Sequence, residues 1–292
     1  VTKQYDIISI GHIDNAILNF MGKVSRFTGG AVYYSSFAAK RSGAAVCVVT
    51  KLAERDMGLL DEMRAEGVEV VAIPCQYTTS VENIFETEDV DKRKVNLLTQ
   101  ADPFTIADIP DAETKIYNMA GLFVGEIPDQ LIADLSKKDA KLALDLQCML
   151  RKSEAGSFLW KDWPAKLTYL PMIHYLKADS LESEIITGTP DREEAAKILY
   201  GWGAKEIMIS HSSEVIIYDG KQIYRAPFNP SNLSGRTGRG DTVFISYMTR
   251  RLTHGIQDSV DYACALCSIK MEQPGPFKGT IDDVLARIKT LR

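Results

Sequence analysis

The chain has 292 residues, of which 25% are charged, and its formal net charge is −5 at pH 7. This length supports one large α/β domain or two smaller ones with a sizeable core, so folding requires neither a metal nor a disulfide. The sequence has no Lys/Arg block of the kind that tracks a phosphate backbone and no run of about 18 apolar residues, which excludes nucleic acid and the membrane as evident partners.

The five cysteines and the first residues of the chain bear on its compartment. An odd number of cysteines, set mostly in apolar stretches, is typical of reduced thiols in a cytoplasmic protein. The opening sequence VTKQYDIISI has neither the basic region nor the cleavage site of a signal peptide. We therefore expect a cytoplasmic protein that acts on a small molecule.

Short apolar, β-branched segments alternate along the chain with segments of helical periodicity. The predicted strands cover 5–10, 44–50, 115–120, 141–146, 173–178 and 206–210, and the predicted helices cover 31–41, 59–66, 128–138 and 191–200. This alternation favours an α/β fold with a mostly parallel sheet and helices on both of its faces. Two polar, β-prone stretches interrupt the pattern, at about 12–28 and 75–100, and we interpret them as strands of a small lid.

The last third of the chain begins with a predicted hairpin, EVIIYDGKQIYRAPF, in which Asp219-Gly220 is a favourable two-residue turn. A Gly-rich turn and three helical segments follow. No repeat, low-complexity tract or linker divides the sequence. We therefore predict a single domain over residues 1–292 that includes the lid segments.

The most informative segment is the Gly-rich turn, Ser234-Gly235-Arg236-Thr237-Gly238-Arg239-Gly240-Asp241-Thr242, which opens directly into a helix. Such a turn directs unpaired backbone N–H groups and the positive end of a helix dipole at one point, so it can bind an anion. The spacing matches a P-loop, but Asp241 stands where a P-loop has lysine. Asp241 is therefore either a general base that accepts the proton of an attacking hydroxyl or an N-cap of the final helices.

This turn resembles the G-A-G-D signature of the ribokinase-like (phosphofructokinase B type) carbohydrate kinases. In that family the turn is the anion hole and its Asp is the catalytic base of an ATP-dependent kinase. The resemblance assigns these roles to Gly238, Gly240 and Asp241. It also implies the family's three-layer fold, in which a mostly parallel sheet is flanked by helices and carries a small β-sheet lid.

The turn departs from the family pattern at two positions, because Gly235 replaces the first Asp of the signature and Arg239 replaces its Ala. We expect Arg239 or Arg236 to contact the donor phosphates or to spread charge in the transition state, with a solvated turn as the alternative. Thr237 belongs to the same expected nucleotide contact.

The family resemblance extends to the acceptor side. Gly11-His12-Ile13-Asp14 resembles the opening G-x-x-D of the family, whose Asp holds substrate hydroxyls, and Asp14 is otherwise a residue of a strand-end turn. Gly29-Gly30 resembles the pair at which the backbone approaches the sugar, although an isolated Gly-Gly pair indicates only a turn. Tyr34 stands where the family often has Asn, so it either stacks against the acceptor or belongs to the core.

The resemblance also implies ATP and Mg²⁺. Glu182 matches the Glu of the family's N-x-x-E element and Asp179 replaces its Asn, which implies Mg²⁺ held through water, with a plain acidic helix start as the alternative. Ser210 and Ser212 occupy the place of the family's T-x-G, which contacts the nucleotide. Arg93 in the lid is expected to reach the acceptor, and Asp145 and Arg151 near the end of a strand are expected to reach the active site, with strand-end caps and surface charges as the alternative.

We therefore expect an ATP- and Mg²⁺-dependent kinase that phosphorylates a hydroxyl of a small sugar or cyclitol. Two alternatives stay open: a nucleoside or vitamin-alcohol kinase of the same fold, and a catalytically idle protein that binds the ligand only. A small exposed sheet must cover its apolar face and edges, so we also expect a homodimer formed through the lid.

Overall fold

The computed structural model describes residues 3–87, 94–154 and 157–290. The strands are, in chain order, β1 (Gln4–Ile10), β2 (Asp14–Phe20), β3 (Lys23–Gly29), β4 (Val46–Ala53), β5 (Glu69–Cys75), β6 (Ser80–Phe85), β7 (Lys94–Thr99), β8 (Glu113–Met119), β9 (Lys141–Asp145), β10 (Arg151–Glu154), β11 (Ser157–Trp160), β12 (Tyr175–Asp179), β13 (Glu206–Ser210), β14 (Glu214–Tyr218) and β15 (Ile223–Pro227).

The helices lie between and after these strands. In chain order they are α1 (Ala31–Arg41), α2 (Asp61–Ala65), α3 (Asp129–Leu135), α4 (Gln147–Leu150), α5 (Lys166–Tyr169), α6 (Ser180–Thr187), α7 (Arg192–Gly201), α8 (Arg239–Arg251), α9 (Ile256–Met271) and α10 (Ile281–Ile288). Short 3₁₀ segments occur at Glu54–Leu60, Ile106–Asp108 and Leu170–Met172. Among the described residues, none of the helices combines the length and apolar character needed to cross a bilayer.

Within the described ranges, nine strands form the main sheet in the order β15-β14-β13-β12-β9-β8-β1-β4-β5. Every neighbouring pair from β13 to β5 is parallel, and only the pairs β13-β14 and β14-β15 are antiparallel. Successive residues of a strand point to opposite faces. In β1, Ile7 belongs to the apolar cluster that includes Phe37 of α1, whereas Ile8 belongs to a second cluster that includes Leu131 of α3. The predicted α/β sheet, covered by helices on both faces, is confirmed.

A second, smaller sheet has the order β10-β11-β7-β6-β2-β3. Strands β2, β3, β6 and β7 come from the two stretches that interrupt the alternation, so the prediction of a separate small sheet is confirmed. The hairpin of β10 and β11 extends this sheet along β7 and was not predicted from the sequence. The structure also adds β5 at the edge of the main sheet.

The loop of the predicted hairpin differs from expectation. Tyr218 pairs with Ile223, so four residues rather than two connect β14 and β15. The Asp219 carboxylate accepts hydrogen bonds from the backbone N–H groups of Lys221 and Gln222, at 2.9 and 3.0 Å. The prediction of a two-residue turn was therefore wrong. The Asp219 side chain stabilises a longer loop, because its carboxylate accepts hydrogen bonds that a backbone oxygen accepts in a tight turn.

Candidate active site

The candidate site lies at the carboxyl ends of the parallel strands. Strands β1, β9, β12 and β13 end at this edge, and the second sheet begins directly beside it at Asp14. The N-termini of α1 and α8 reach the same place, since Gly30 precedes α1 and Gly238 precedes α8. Crevices at the carboxyl ends of parallel strands are the usual ligand sites of open α/β sheets.

The Gly-rich turn leads into α8 through a conformation that requires glycine. Gly238 is the N-cap residue, with φ +79° in the left-handed region. A Cβ on Gly238 would also lie 2.2 Å from Cγ of Tyr34, so the turn packs directly on the aromatic ring. Helix α8 is 13 residues long, and its free N–H groups and dipole favour an anion in front of the turn.

Asp241 lies in the first turn of α8 but does not cap it, because Gly238 is the N-cap and no side chain makes a capping bond there. The alternative of a plain N-cap is therefore wrong. No other described residue forms a hydrogen bond with the Asp241 side chain. Burial, followed by the charge of Asp145, raises the pKa of Asp241 to about 6, against the opposing effect of Lys177. A largely buried carboxylate without a partner at an anion site suits a general base.

Asp14 stands at the start of β2, and only 8% of the residue is exposed. Its Oδ1 accepts the backbone N–H of Val81 of β6 at 2.9 Å. Burial raises the pKa of Asp14 to about 7, although the hydrogen bond from Val81 and the charge of Arg151 oppose the shift. Asp14 pairs with Gly29 of β3, which holds the predicted G-x-x-D and Gly-Gly elements side by side.

Gly30 is the N-cap of α1, with φ +100°, and a Cβ there would lie 2.6 Å from the backbone oxygen of His12. The close approach of the two backbone segments explains why glycine stands at this position. Tyr34, one turn into α1, is buried, and its pKa is raised by burial and then by the charges of Asp241 and Asp14. Tyr34 therefore lies near both carboxylates, where its ring supports Gly238.

A buried charged cluster stands beside the turn. The Lys177 ammonium group lies 3.0 Å from Asp145 and 3.6 Å from Glu182. Burial alone would lower the pKa of Lys177, but the charges of Asp145 and Glu182 hold it above its usual range. A Cβ on Gly240 would be 3.2 Å from the Lys177 nitrogen, so this cation touches the start of α8.

Glu182 and Asp179 form a capping box at the start of α6. The Asp179 backbone N–H donates to Glu182 at 2.7 Å, and the Glu182 N–H donates to Asp179 at 2.8 Å. Burial raises the pKa of Glu182. No group of three or more His, Cys, Asp or Glu in the described part of the chain is arranged to hold a metal ion.

The remaining predicted site residues differ in their exposure and contacts. Ser210 ends β13 but is only 3% exposed, and Ser212 lies on an exposed loop beside His211. Arg236 and Thr237 are exposed on the turn, and the Arg239 guanidinium lies 5.7 Å from the ring centre of Phe228. Arg93 lies outside the described residues.

Arg151 begins β10 of the second sheet, and its expected place at the active site stays a prediction. Its Nε donates to the backbone oxygen of Leu122 at 2.9 Å, and its guanidinium lies 4.5 and 5.0 Å from the ring centres of Phe123 and Phe158. It lowers the pKa of both Asp14 and Asp241. The Arg151 guanidinium therefore lies close enough to both carboxylates for its charge to favour their ionised forms.

Sequence reasoning missed two residues of this region. Asn83 of β6 pairs with Leu18 and Val95, so it shares the face of the second sheet that carries Asp14. Lys270 of α9 lies behind the Gly-rich turn. The signal for Asn83 was a polar residue within a predicted lid strand, whereas Lys270 lies in an apolar helical run with no local signal.

The sequence of this chain is similar to those of known kinases. The family model described as pfkB family carbohydrate kinase matches residues 5–282. A cytidine kinase of Thermococcus kodakarensis (strain ATCC BAA-918 / JCM 12380 / KOD1) is 40% identical over 63 residues, which is 20% of this chain and 23% of that kinase. The chain thus matches less than a quarter of the length of this curated relative.

Solved structures are similar over nearly the whole length. A sulfate complex of a pyrophosphate-dependent kinase in the ribokinase family is 35% identical, with a TM-score of 0.90, over 96% of this chain and 99% of that chain. A pyrophosphate-dependent kinase of that family, complexed with a pyrophosphate analog and myo-inositol, is 34% identical, with a TM-score of 0.88 and the same coverage. The ribokinase of Arabidopsis thaliana with ribose and ATP is 15% identical, with a TM-score of 0.79 over 98% and 99% of the two chains, which supports the shared fold.

Proposed function

Because the chain belongs to the pfkB family of carbohydrate kinases, we propose that it transfers a phosphoryl group from pyrophosphate to a hydroxyl of a cyclitol or related sugar. The observation that carries this proposal is the carboxylate of Asp241, largely buried and unpaired within the described chain, beside a helix N-terminus and a turn that can bind an anion. Two ribokinase-family structures at 34–35% identity supply the class of donor, and one of them the class of acceptor.

Two features of this chain support pyrophosphate over the ATP expected from the sequence. Cations surround the turn, with Lys177 and Lys270 behind it and Arg236 and Arg239 on it, which suits a compact, highly charged donor. The predicted nucleotide contact at Ser210 is buried, so its hydroxyl is not exposed to a ligand.

In the proposed reaction the acceptor hydroxyl lies between Asp14 and Asp241. Asp14 accepts hydrogen bonds from neighbouring hydroxyls, and Asp241 takes the proton of the reacting one. A bond forms between the acceptor oxygen and the transferred phosphorus, while the bond from that phosphorus to the bridging oxygen breaks and inorganic phosphate leaves. The turn and the nearby cations stabilise the charge on the transferred group, as catalysis of phosphoryl transfer requires.

The fold family implies Mg²⁺, and the residues fit an ion that arrives with the donor. Glu182 is bound in the capping box and lies near Lys177, whereas the half-buried Asp179 gives only Oδ1 to the capping box, so its second carboxylate oxygen could face a hydrated ion. Magnesium usually keeps several waters and binds through one or two carboxylates together with substrate phosphates. When bound, it would neutralise part of the charge on the donor.

The second sheet is proposed to act as a lid. Its face carries Asp14, Val81 and Asn83, so it would cover the acceptor and exclude water from the transfer. Its edge strand β3 exposes apolar side chains, including Val24 at 62% and Phe27 at 37%. Because an exposed apolar edge favours association, we propose a homodimer through this sheet. A monomer at micromolar concentration in sedimentation equilibrium contradicts the dimer.

We propose a cytoplasmic location because the cysteines are free thiols. All five are free thiols, and only Cys75 is not buried. Free buried thiols of this kind are typical of a reducing compartment. Localisation of the tagged protein by cell fractionation tests this, and recovery of the protein outside the cytoplasm contradicts it.

A panel of donors and acceptors tests the proposed function. Pyrophosphate and ATP are each combined with myo-inositol, ribose and cytidine, and ester formation is measured with and without Mg²⁺. We expect the highest kcat/KM with pyrophosphate and myo-inositol. Preference for ATP would overturn the donor assignment, and preference for cytidine would favour the nucleoside kinase alternative. Binding of myo-inositol without turnover by any pair would favour the idle ligand-binding protein.

A further inference from the structure

The ammonium group of Lys270 lies directly behind the Gly-rich turn. Lys270 is in the last turn of α9, and only 2% of the residue is exposed. Its Nζ donates to the backbone oxygen of Gly235 at 2.5 Å and also to the backbone oxygen of Thr237. One side chain thus bonds to two carbonyl groups of the segment that is proposed to hold the donor.

The Lys270 cation has no carboxylate partner among the described residues. The nearest aromatic group is Tyr34, whose ring centre lies 4.9 Å from Nζ and whose ring packs on Gly238. Burial lowers the pKa of Lys270 to about 8, partly offset by Cys267 and Asp241. An ammonium group that is buried without an opposite charge is costly for stability.

The two hydrogen bonds fix the orientation of the peptide groups in the turn. In a trans peptide the N–H points away from the preceding C=O. Since the Thr237 oxygen points to Lys270, the N–H of Gly238 points to the opposite side of the turn, and the Gly235 oxygen orients the N–H of Arg236 in the same way. A positive charge behind the turn also adds to the dipole of α8 in attracting an anion.

We infer that Lys270 is a built-in cation that positions the Gly-rich turn for the donor phosphates. The inference rests on the proposed function for the identity of the donor, but the effect on the turn itself does not depend on it. Lys270 does not touch the acceptor, so it acts on donor binding and transfer through the backbone of the turn. A merely structural role would affect stability without separating donor from acceptor.

Three variants test this inference. Lys270→Met keeps the length of the side chain and removes its charge, and Lys270→Ala leaves space for a free cation. Lys278→Met is the matched control, because the Lys278 side chain is 59% exposed. The measurements are kcat, the KM values for pyrophosphate and myo-inositol, and hydrogen exchange of the peptide that contains residues 234–240.

For Lys270→Met we expect the KM for pyrophosphate to rise about tenfold or more, kcat to fall, and the KM for myo-inositol to change less than about twofold. Amide exchange of the turn should rise about tenfold or more, while Lys278→Met behaves as the wild type. Lys270→Ala should regain donor affinity and turn protection in ammonium chloride, but not in tetramethylammonium chloride at the same ionic strength.

The outcomes separate this inference from the proposed function. If the wild type does not use pyrophosphate, the proposed donor is wrong, and hydrogen exchange in the Lys270 variants still decides the role of the cation. Unchanged turn exchange in folded Lys270→Met overturns the inference. It is also overturned if exchange increases throughout the protein and ammonium does not rescue Lys270→Ala, because the residue is then only a packing element.

Discussion

Replacing Asp241 by asparagine should abolish most turnover and stabilise the protein. The asparagine amide cannot accept the proton of the attacking hydroxyl, and loss of a general base reduces rates by about 10²–10⁴-fold. The pKa of Asp241 is about 6, and that of an ordinary Asp side chain is 3.8. Each pKa unit corresponds to about 1.4 kcal/mol, so the ionised carboxylate destabilises the fold by about 1–3 kcal/mol above pH 6.

The sign of this effect follows from the raised pKa. Below pH 3.8 the carboxyl is protonated in both the folded and unfolded states and has no such effect on stability. Its destabilising effect grows between that pH and about 6 and is complete above. Asp241→Asn should therefore be more stable than the wild type at pH 8 and converge with it towards pH 4.

Urea unfolding at several pH values and steady-state kinetics provide the assay. Asp134→Asn is the control, because its hydrogen bond with Lys137 lowers the pKa of Asp134, the opposite direction from Asp241. The control should keep full activity and gain no stability at pH 8. The wild-type kcat/KM should fall below about pH 6. Full activity of Asp241→Asn, or a variant less stable than the wild type at pH 8, refutes the reasoning.

Three further variants address the rest of the site. Asp14→Asn should raise the KM for the acceptor about tenfold or more with little change in the KM for the donor. The reason is that the variant loses a buried carboxylate that accepts hydrogen bonds from the acceptor hydroxyls. Equal changes in both KM values argue against a role in acceptor binding. Gly238→Ala should reduce kcat/KM about 10²-fold, because the new Cβ would collide with the Tyr34 ring and because alanine is strained at φ +79°. Wild-type kinetics of this variant would contradict the requirement for glycine in the turn. Lys177→Met should destabilise the fold by about 3 kcal/mol or more, because Asp145 and Glu182 are then buried without their cation. Urea unfolding measures this loss, and an unchanged unfolding midpoint would contradict the stabilising role of Lys177.

Much of the fold follows from local patterns in the sequence. The predicted helix over 31–41 coincides with α1, and the predicted strand over 206–210 coincides with β13, because period and burial agree in these segments. Strand β5 was missed because its EVVAIPC sequence runs into the polar stretch at 75–100 and includes a proline. Strands β10 and β11 are four residues each, too short to show a period.

The candidate site was predictable where a short motif carries it. Asp14, Gly30, Gly238 and Asp241 lie at strand or helix ends whose sequence already implies a turn or an anion site. Lys270 could not be predicted, because its partners are backbone oxygens more than 30 positions away, and backbone acceptors leave no trace in the side-chain pattern. The choice between a general base and an N-cap for Asp241 could be made only with the structure, since both roles suit an acidic residue near the start of a helix.

The central claim is that Asp241 and the Gly-rich turn move a phosphoryl group from pyrophosphate to a cyclitol hydroxyl. Phosphorus NMR of the purified protein with pyrophosphate, myo-inositol and Mg²⁺ tests it most directly. We predict a phosphate monoester of myo-inositol and inorganic phosphate in equal amounts, with the signals reduced about 10²-fold or more for Asp241→Asn. Unchanged pyrophosphate with the wild-type protein, or ester formed at the same rate by the variant, would contradict the claim.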